Sequence, residues 1–260
     1  MKKSELDQYN QNGYLILRGF LSEADINDLR LSIAGMVRHA CGLKQSKNLD
    51  RTVINISKTN RPVLTELYDT GSRNLYLYKI ATSKKIQKLS RTVLGSSTLS
   101  LSALSMRIDL PNEDDKLIDW HQDYPFIQDS PGGLVFWFPI FNVQKNSGGV
   151  RLIPGSHKDG IIKVKNRSDR RGWFLEPENY HSLESKHSVC PYLLPGDLLI
   201  MSNLIMHKSA PNRSRIVRWT GQFRIGDFLN PVSISKKWPR GYLKGESFEE
   251  RHSEYVIKSL

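Results

Sequence analysis

Trp120-His121-Gln122-Asp123-Tyr124-Pro125 is the stretch on which the reading of this chain turns. His121 and Asp123 are two residues apart. On a β-strand, side chains at i and i+2 project to one face. Read as a strand, the stretch therefore aims an imidazole and a carboxylate at one point. Such a pair suits a metal ion that accepts nitrogen and oxygen ligands. His-x-Asp alone is a common accident of sequence, and its neighbours decide what it means.

On both sides the texture is that of short strands. Upstream, residues 98–110 are rich in Ser, Leu, Ile and Met and read as a strand, ended by the turn residues 111–115. Downstream, residues 133–141 form a dense aromatic-apolar run, and Asn146-Ser147-Gly148-Gly149 is a turn by composition. Val150-Arg151-Leu152-Ile153 is a further strand, stopped by Pro154-Gly155-Ser156-His157. Pro195-Gly196-Asp197 turns into Leu198-Leu199-Ile200-Met201, followed by Leu204-Ile205-Met206-His207 and then by residues 216–228. Short strands with turn signals between them predict an all-β sandwich or barrel.

The first third reads differently. Residues 4–12 are polar and helical, and Gly13 to Gly19 brackets a short apolar strand. Ser22 is a good N-cap that Asp25 can complete as a capping box, ahead of Ile26, Leu29, Ile33 and Val37 at helical spacing. Residues 38–62 read as a polar loop or lid, and residues 63–94 as mostly helical with a break at Gly71. The class is α+β: a jelly roll, cupin-like, with helices packed on one face. One domain is expected over 1–260, helical over about 1–97, with a β core over about 98–228 and a C-terminal extension over 229–260.

A chain of 260 residues with 38% hydrophobic content can bury a substantial core. Its formal charge is +12, from 38 Lys+Arg against 26 Asp+Glu, which favours anionic partners by long-range steering. No basic helix with aromatic platforms is present, so nucleic acid is not an expected partner. No apolar run approaches the roughly 20 residues needed to span a membrane. Cys41 and Cys190 are the only cysteines and sit in no CxxC pair. With no signal-like leader, a cytoplasmic location is expected. Oligomeric state is not legible in the sequence.

His207 supplies a third candidate ligand. A lone His on an apolar strand is usually a satisfied core histidine. Joined to His121 and Asp123, however, it would complete the two-His-one-carboxylate facial triad of non-haem Fe(II) oxygenases, which leaves coordination positions open. Residues 208–215 have loop composition, and from Val217 to Ile225 the pattern splits. Val217, Trp219, Gly221, Phe223 and Ile225 share one face; Arg218, Thr220, Gln222 and Arg224 share the other. A hairpin about residues 211–214 in which His207 faces Arg218 would put His207, Ser209 and Arg218 on one side. A one-residue slip would send Arg218 the other way. In that register a guanidinium fork, suited to holding a carboxylate by two hydrogen bonds, would lie beside a metal ligand.

Taken in order, these segments resemble the phytanoyl-CoA dioxygenase family of Fe(II)- and 2-oxoglutarate-dependent oxygenases. Asn12 to Leu21 is similar to the family's N-terminal strand, and Trp120 to Tyr124 to its HxD motif. Gly148 to His157 is similar to its segment ending in PGSH. Pro195 to Leu199, followed by His207 to Asn212, is similar to its distal-His strand. Arg218 stands eleven residues after His207, where the family places its 2-oxoglutarate arginine. The resemblance implies a double-stranded β-helix in which His121, Asp123 and His207 bind Fe(II). It also implies 2-oxoglutarate on that iron, with its far carboxylate on Arg218 and Ser209. Trp137, and Met106 or Arg107, are implied as co-substrate neighbours. The implied reaction uses O2 to hydroxylate an unactivated C–H of a small molecule, releasing succinate and CO2. In related halogenases that carboxylate is replaced to admit halide, so the presence of Asp123 argues against halogenation.

The remaining histidines, His39, His157, His181, His187 and His252, lack ligand spacing. His157 is expected to satisfy backbone groups at the Pro-Gly turn. Residues 158–192 interrupt the strand pattern with Lys163, Lys165, Arg167, Arg170, Arg171, Trp173, His181 and His187. They read either as a lid whose cations recognise an acidic or carrier-linked substrate, or as a solvated basic loop. Other readings stay open. The same site could perform desaturation, epoxidation or ring closure in natural-product biosynthesis. The metal site could be that of an isomerase or hydrolase. The chain could also be a non-catalytic basic binding module.

Overall fold

The computed structural model describes residues 1–44, 48–167, 174–237, 248 and 252–257. The chain runs α1 (Lys3–Asn12), β1 (Tyr14–Leu17), α2 (Glu23–Ala40), α3 (Leu49–Thr59), α4 (Arg61–Gly71), α5 (Leu75–Ala81) and α6 (Lys84–Leu94). Then come β2 (Leu99–Asp109), α7 (Tyr124–Ile127), β3 (Leu134–Pro139), β4 (Val150–Leu152), β5 (Val164–Arg167) and β6 (Phe174–Pro177). The last elements are α8 (Tyr180–Leu183), β7 (Leu198–Ser202), β8 (His207–Ser209), β9 (Arg218–Asp227) and α9 (Pro231–Ser235).

One layer is an antiparallel sheet in the order β1-β7-β3-β9-β2. The other is the pair β4-β8, with Val150 opposite Ser209 and Leu152 opposite His207. Single bridges extend it on both sides, from His207 to His121 and from Leu152 to Val189. The two layers make a double-stranded β-helix. Val135, Trp137, Leu152, Leu199 and Met201 fill the space between them.

The outer face of the large sheet carries the helices. Leu29, Ile33 and Val37 of α2, Leu64 and Leu67 of α4, and Ile86 of α6 pack on Phe136, Phe138, Ile200, Trp219 and Phe223. Burying such a side chain contributes roughly 1.5–3 kcal/mol, so this slab is the main stabilising contact between the helical third and the barrel. The split along β9 follows from its position between the two compartments. Val217, Trp219, Phe223 and Ile225 join the helix-side core, while Arg218, Gln222 and Arg224 face the cavity between the layers.

Four local expectations change. Residues 38–62 are not a loop throughout, because α2 runs to Ala40 and α3 occupies Leu49–Thr59. Its polar composition hides a single apolar anchor, Val53, which is fully buried, and Asn48 caps it by accepting from the Arg51 N–H. At the start of α2, Ser22 accepts from the Asp25 N–H, but the Asp25 carboxylate accepts from the Ser22 hydroxyl, so the box is not reciprocal. His207 begins a strand instead of ending one, since residues 203–205 are a turn. The hairpin of β8 with β9 does not form. The two strands lie in different layers, and Arg218 pairs with Asp109 on β2.

Candidate active site

His121 does not sit on a continuous strand. Its N–H and C=O pair with His207 in one isolated bridge, and the chain then turns. Asp123 is helical in backbone (φ −73°, ψ −28°) and leads into α7. The i, i+2 strand argument therefore fails for this pair. His121 and Asp123 converge because the chain wraps around the end of β8. The bridge to His207 brings the two imidazoles to 4.1 Å between ring centroids.

The donor set is compact. One ligand atom each from His121, Asp123 and His207 lies within 4.8 Å of the others, and all three residues are buried. Asp123 Oδ1 is 3.3 Å from His121 Nε2 and 3.6 Å from His207 Nε2. Ligands about 2.1 Å from a common ion at right angles would stand about 3 Å apart, so a small inward adjustment would suffice. The Nδ1 atoms face backbone carbonyls: His121 to Asp119 O at 2.6 Å and His207 to Ile205 O at 3.0 Å. Those carbonyls accept an Nδ1–H and leave each Nε2 lone pair directed at the shared point, the tautomer that a metal requires. Burial, and then the charge of His121, push His207 down to about 4, so its ring is neutral near pH 7.

Arg224, placed on the polar face of β9 but given no role from sequence, completes the group. Its Nε and Nη2 donate to Asp123 Oδ2 at 2.9 and 2.7 Å. Burial would raise the Asp123 pKa. The Arg224 charge, joined by the imidazoles when they are protonated, outweighs it and holds the carboxyl far below its usual range. The guanidinium takes one carboxylate oxygen and leaves Oδ1 facing the histidines. No motif announces it; its signal is only that an arginine on a cavity face needs an anion.

The wall beside this group is built around Asp109. Arg107 Nη2 donates to Asp109 Oδ1 at 2.7 Å and Arg218 Nε donates to Oδ2 at 3.1 Å. Arg218 Nη1 donates to Ser147 O and Ala210 O at 2.9 and 2.8 Å, and Nη2 also lies 3.1 Å from Asp109 Oδ2. Burial opposes ionisation of Asp109, but the two guanidinium charges win and lower its pKa. The same carboxylate raises Arg107 against the effect of burial. Gly148 makes room for Arg218. Its φ is +70°, and a Cβ there would lie 2.6 Å from Arg218 Nη1 and 2.4 Å from Pro211 O.

His121, Asp123, His207, Arg218, Ser209, Trp137 and Arg107 all line one cavity of about 1720 Å³. Met106 reaches it too, although its methyl end packs on Gly71 of α4. Lys208 lies over the Trp120 ring at 4.7 Å and pairs with Glu184, which also accepts from Trp120 Nε1 at 2.8 Å. His157 accepts a place at the surface instead, with Nε2 on Asn10 O at 3.1 Å. Lys163, Lys165, His181 and His187 do not line the cavity. Lys165 pairs with Glu176 at 2.6 Å. Arg170, Arg171 and Trp173 lie outside the described residues. The C-terminal extension, which had no role by sequence, packs against the site from behind: His252 Nε2 meets the Tyr124 hydroxyl at 3.1 Å, one residue beyond Asp123.

A double-stranded β-helix with two imidazoles and a carboxylate at one end of its interior has the frame of the non-haem iron oxygenases. Residues 9–220 match the family model "Phytanoyl-CoA dioxygenase (PhyH)", and the chain belongs to that family. Human peroxisomal phytanoyl-CoA dioxygenase is 24% identical over 223 residues, which is 80% of this chain and 63% of that protein. The phytanoyl-CoA dioxygenase of Arabidopsis thaliana is 23% identical over 81% of this chain and 83% of its own. Among solved structures, EctD from S. alaskensis, crystallised with 2-oxoglutarate and 5-hydroxyectoine, superposes with a TM-score of 0.59 at 16% identity, covering 88% of this chain and 77% of its own. The epimerase SnoN from nogalamycin biosynthesis, in complex with Fe3+, alpha ketoglutarate and nogalamycin RO, gives 0.60 at 15% identity over 94% and 91%. Among the described residues, no helix is long and apolar enough to cross a membrane.

Proposed function

We propose that this chain is an Fe(II)- and 2-oxoglutarate-dependent dioxygenase, one domain over residues 1–260, that hydroxylates an unactivated C–H bond of a small molecule. The observation that carries the reading is the buried donor set, with both imidazole tautomers fixed by backbone carbonyls and a carboxylate oxygen left free by Arg224. His121, Asp123 and His207 would hold the iron. The metal and its co-substrate supply the oxidising chemistry when bound, with O2 consumed and succinate and CO2 released.

The chain's own residues orient and exclude water. Arg224 keeps Asp123 ionised and turned so that a single oxygen faces the ion. Arg218, held by Asp109 and two carbonyls, would meet the far carboxylate of 2-oxoglutarate through the Nη2 hydrogen turned away from Asp109. Because its other donors are engaged, the second hydrogen bond would come from the Ser209 hydroxyl on the facing layer. Arg107 and Trp137 would border the same molecule. Buried, these charged hydrogen bonds gain from the low local dielectric.

The cavity of about 1720 Å³ exceeds what 2-oxoglutarate needs and leaves room for a sizeable substrate. The names of the relatives favour an acyl-CoA, and the overall charge of +12 would suit an acidic or carrier-linked molecule. The described wall does not add to that support, since its arginines are committed to Asp109 and Asp123. Desaturation, epoxidation or ring closure is a second reading, because similar folds include the carbocyclase SnoK of nogalamycin biosynthesis. Product analysis separates the two.

The test is anaerobic titration of the apoprotein with Fe(II) and then 2-oxoglutarate, followed by the visible charge-transfer band. His207→Ala should abolish the band, and Arg218→Ala should raise the 2-oxoglutarate concentration it requires by at least tenfold. Folded wild-type protein that gives no band would overturn the proposal.

A further inference from the structure

The cavity contradicts the overall charge of the chain. The sequence carries 38 Lys+Arg against 26 Asp+Glu, yet the described cavity wall carries seven carboxylates against six cations. Iron and 2-oxoglutarate bring opposite and equal formal charges, so loading them does not change that balance. Four of the seven are matched by a cation: Asp109 by Arg107 and Arg218, Asp123 by Arg224, Asp114 by Arg213 and Asp115 by Lys116. Of the other three, Asp69 is exposed, Asp119 accepts from the Trp120 N–H, and Asp129 is held against β2. Asp129 follows α7, is half-buried and lines the cavity, and among the described residues no cation pairs with it.

Its placement looks built. The cavity face of β9 presents Arg218, Thr220, Gln222 and Arg224 in sequence, and the next position on that face is Gly226. The missing side chain makes the space for Asp129, since a Cβ on Gly226 would lie 2.4 Å from its carboxylate. Two hydroxyls from the neighbouring strand β2 fix one oxygen: Ser100 Oγ donates to Oδ2 at 2.5 Å and Ser102 Oγ at 3.0 Å. The Asp129 backbone carbonyl accepts from Ser233 Oγ at 2.5 Å, which anchors the loop to α9. Oδ1 has no donor among the described residues. Ser102 itself pairs with Arg224 across the ladder, so Asp129 lies on the same stretch of wall as the arginine that grips the candidate iron ligand.

We propose that Asp129 is the substrate-anchoring residue of this cavity and that the substrate carries a cationic amine whose N–H groups bind Asp129 Oδ1. This rests on the oxygenase reading of the same site. An uncompensated, oriented carboxylate discriminates by charge in both directions: it attracts an ammonium and repels a carboxylate in a partly dry site. It selects against the acidic substrate that net charge alone suggests.

Three chain-matched probes test it: n-octylammonium, n-octanol and octanoate, each titrated calorimetrically into protein loaded with Fe(II) and 2-oxoglutarate under anaerobic conditions, and again without metal. Wild-type protein should bind octylammonium at least tenfold more tightly than octanoate, the scale of one charge-assisted hydrogen bond. Asp129→Asn keeps the shape and an acceptor for the serines, and should bring the two affinities within threefold. Ser102→Ala, which retains the charge, should keep the preference. Equal binding of the two ions to wild type, or a preference that survives Asp129→Asn with an unchanged thermal midpoint, would overturn the proposal. The charge-transfer band recorded in the same samples reports separately on the iron and 2-oxoglutarate reading, and the metal-free titration reads the anchor even where that band is absent.

Discussion

Replacing Arg224 with Met removes a charge from behind Asp123 while keeping a long apolar side chain in its place. In the apoprotein the carboxylate would be left 4% exposed, with the two imidazoles as its close company. Removing one partner of a buried pair costs about 3–5 kcal/mol. There is also a ceiling. Instead of staying ionised, Asp123 can take a proton, which at pH 7 costs about 4 kcal/mol for a carboxyl with an ordinary value near 3.9. At pH 5 the same route costs only about 1.5 kcal/mol. The sign follows: in the variant the folded carboxyl titrates above its unfolded value, so the variant gains stability relative to wild type as pH falls from 7 to 5. Apo Arg224→Met should therefore melt roughly 10 °C below wild type at pH 7, at about 2–4 °C per kcal/mol for a chain of this size, and the gap should more than halve at pH 5. Thermal melts of metal-free protein at pH 5, 6 and 7 read this directly. A gap independent of pH, or smaller than about 3 °C at pH 7, would show that Arg224 does not govern the charge on Asp123.

The folded-state value of about 4 for His207 lies below its ordinary 6.5, so the unfolded chain binds the proton first. Apoprotein stability should fall by roughly 3 kcal/mol as pH drops from about 6.5 to about 4, and His207→Gln should flatten that slope in denaturant titrations. Gly148→Ala forces a left-handed residue to carry a Cβ against Arg218 and two carbonyls. It should raise the KM for 2-oxoglutarate at least tenfold, and a normal KM would mean that Arg218 does not bind the co-substrate. Asp109→Asn leaves two buried guanidinium groups sharing a neutral partner. It should cost about 3–5 kcal/mol in thermal or chemical unfolding.

The parts of the site that were legible in the sequence are those whose chemistry is carried by residue type. His121, Asp123 and His207 stand out because few other roles ask for that trio, and β9 stands out because its alternation separates a greasy face from a polar one. The pairing of the strands was not legible in the same way. A hairpin between β8 and β9 was the local choice, since a loop of turn residues joins them. The actual partners, β4 for β8 and β2 with β3 for β9, are selected by closure of two layers around one core, which no short window contains. Asp123 came to the right place for the wrong reason, because a single bridge at His121 and one helical residue leave no period-2 signal. Arg224 and Asp129 were invisible for a related cause. Each matters through one neighbour brought from about a hundred residues away in Arg224's case, or through the empty place at Gly226.

Arg218 rises from one layer of the barrel, and His207 with Ser209 from the other. A small molecule held between them would therefore fasten the two sheets together across their open end, as a pin fastens a hinge. Occupancy would then be felt far from the pin. Peptide N–H groups in β4 and β8, which belong to the thinner, two-stranded layer, would exchange with solvent more slowly in the loaded protein than in the empty one.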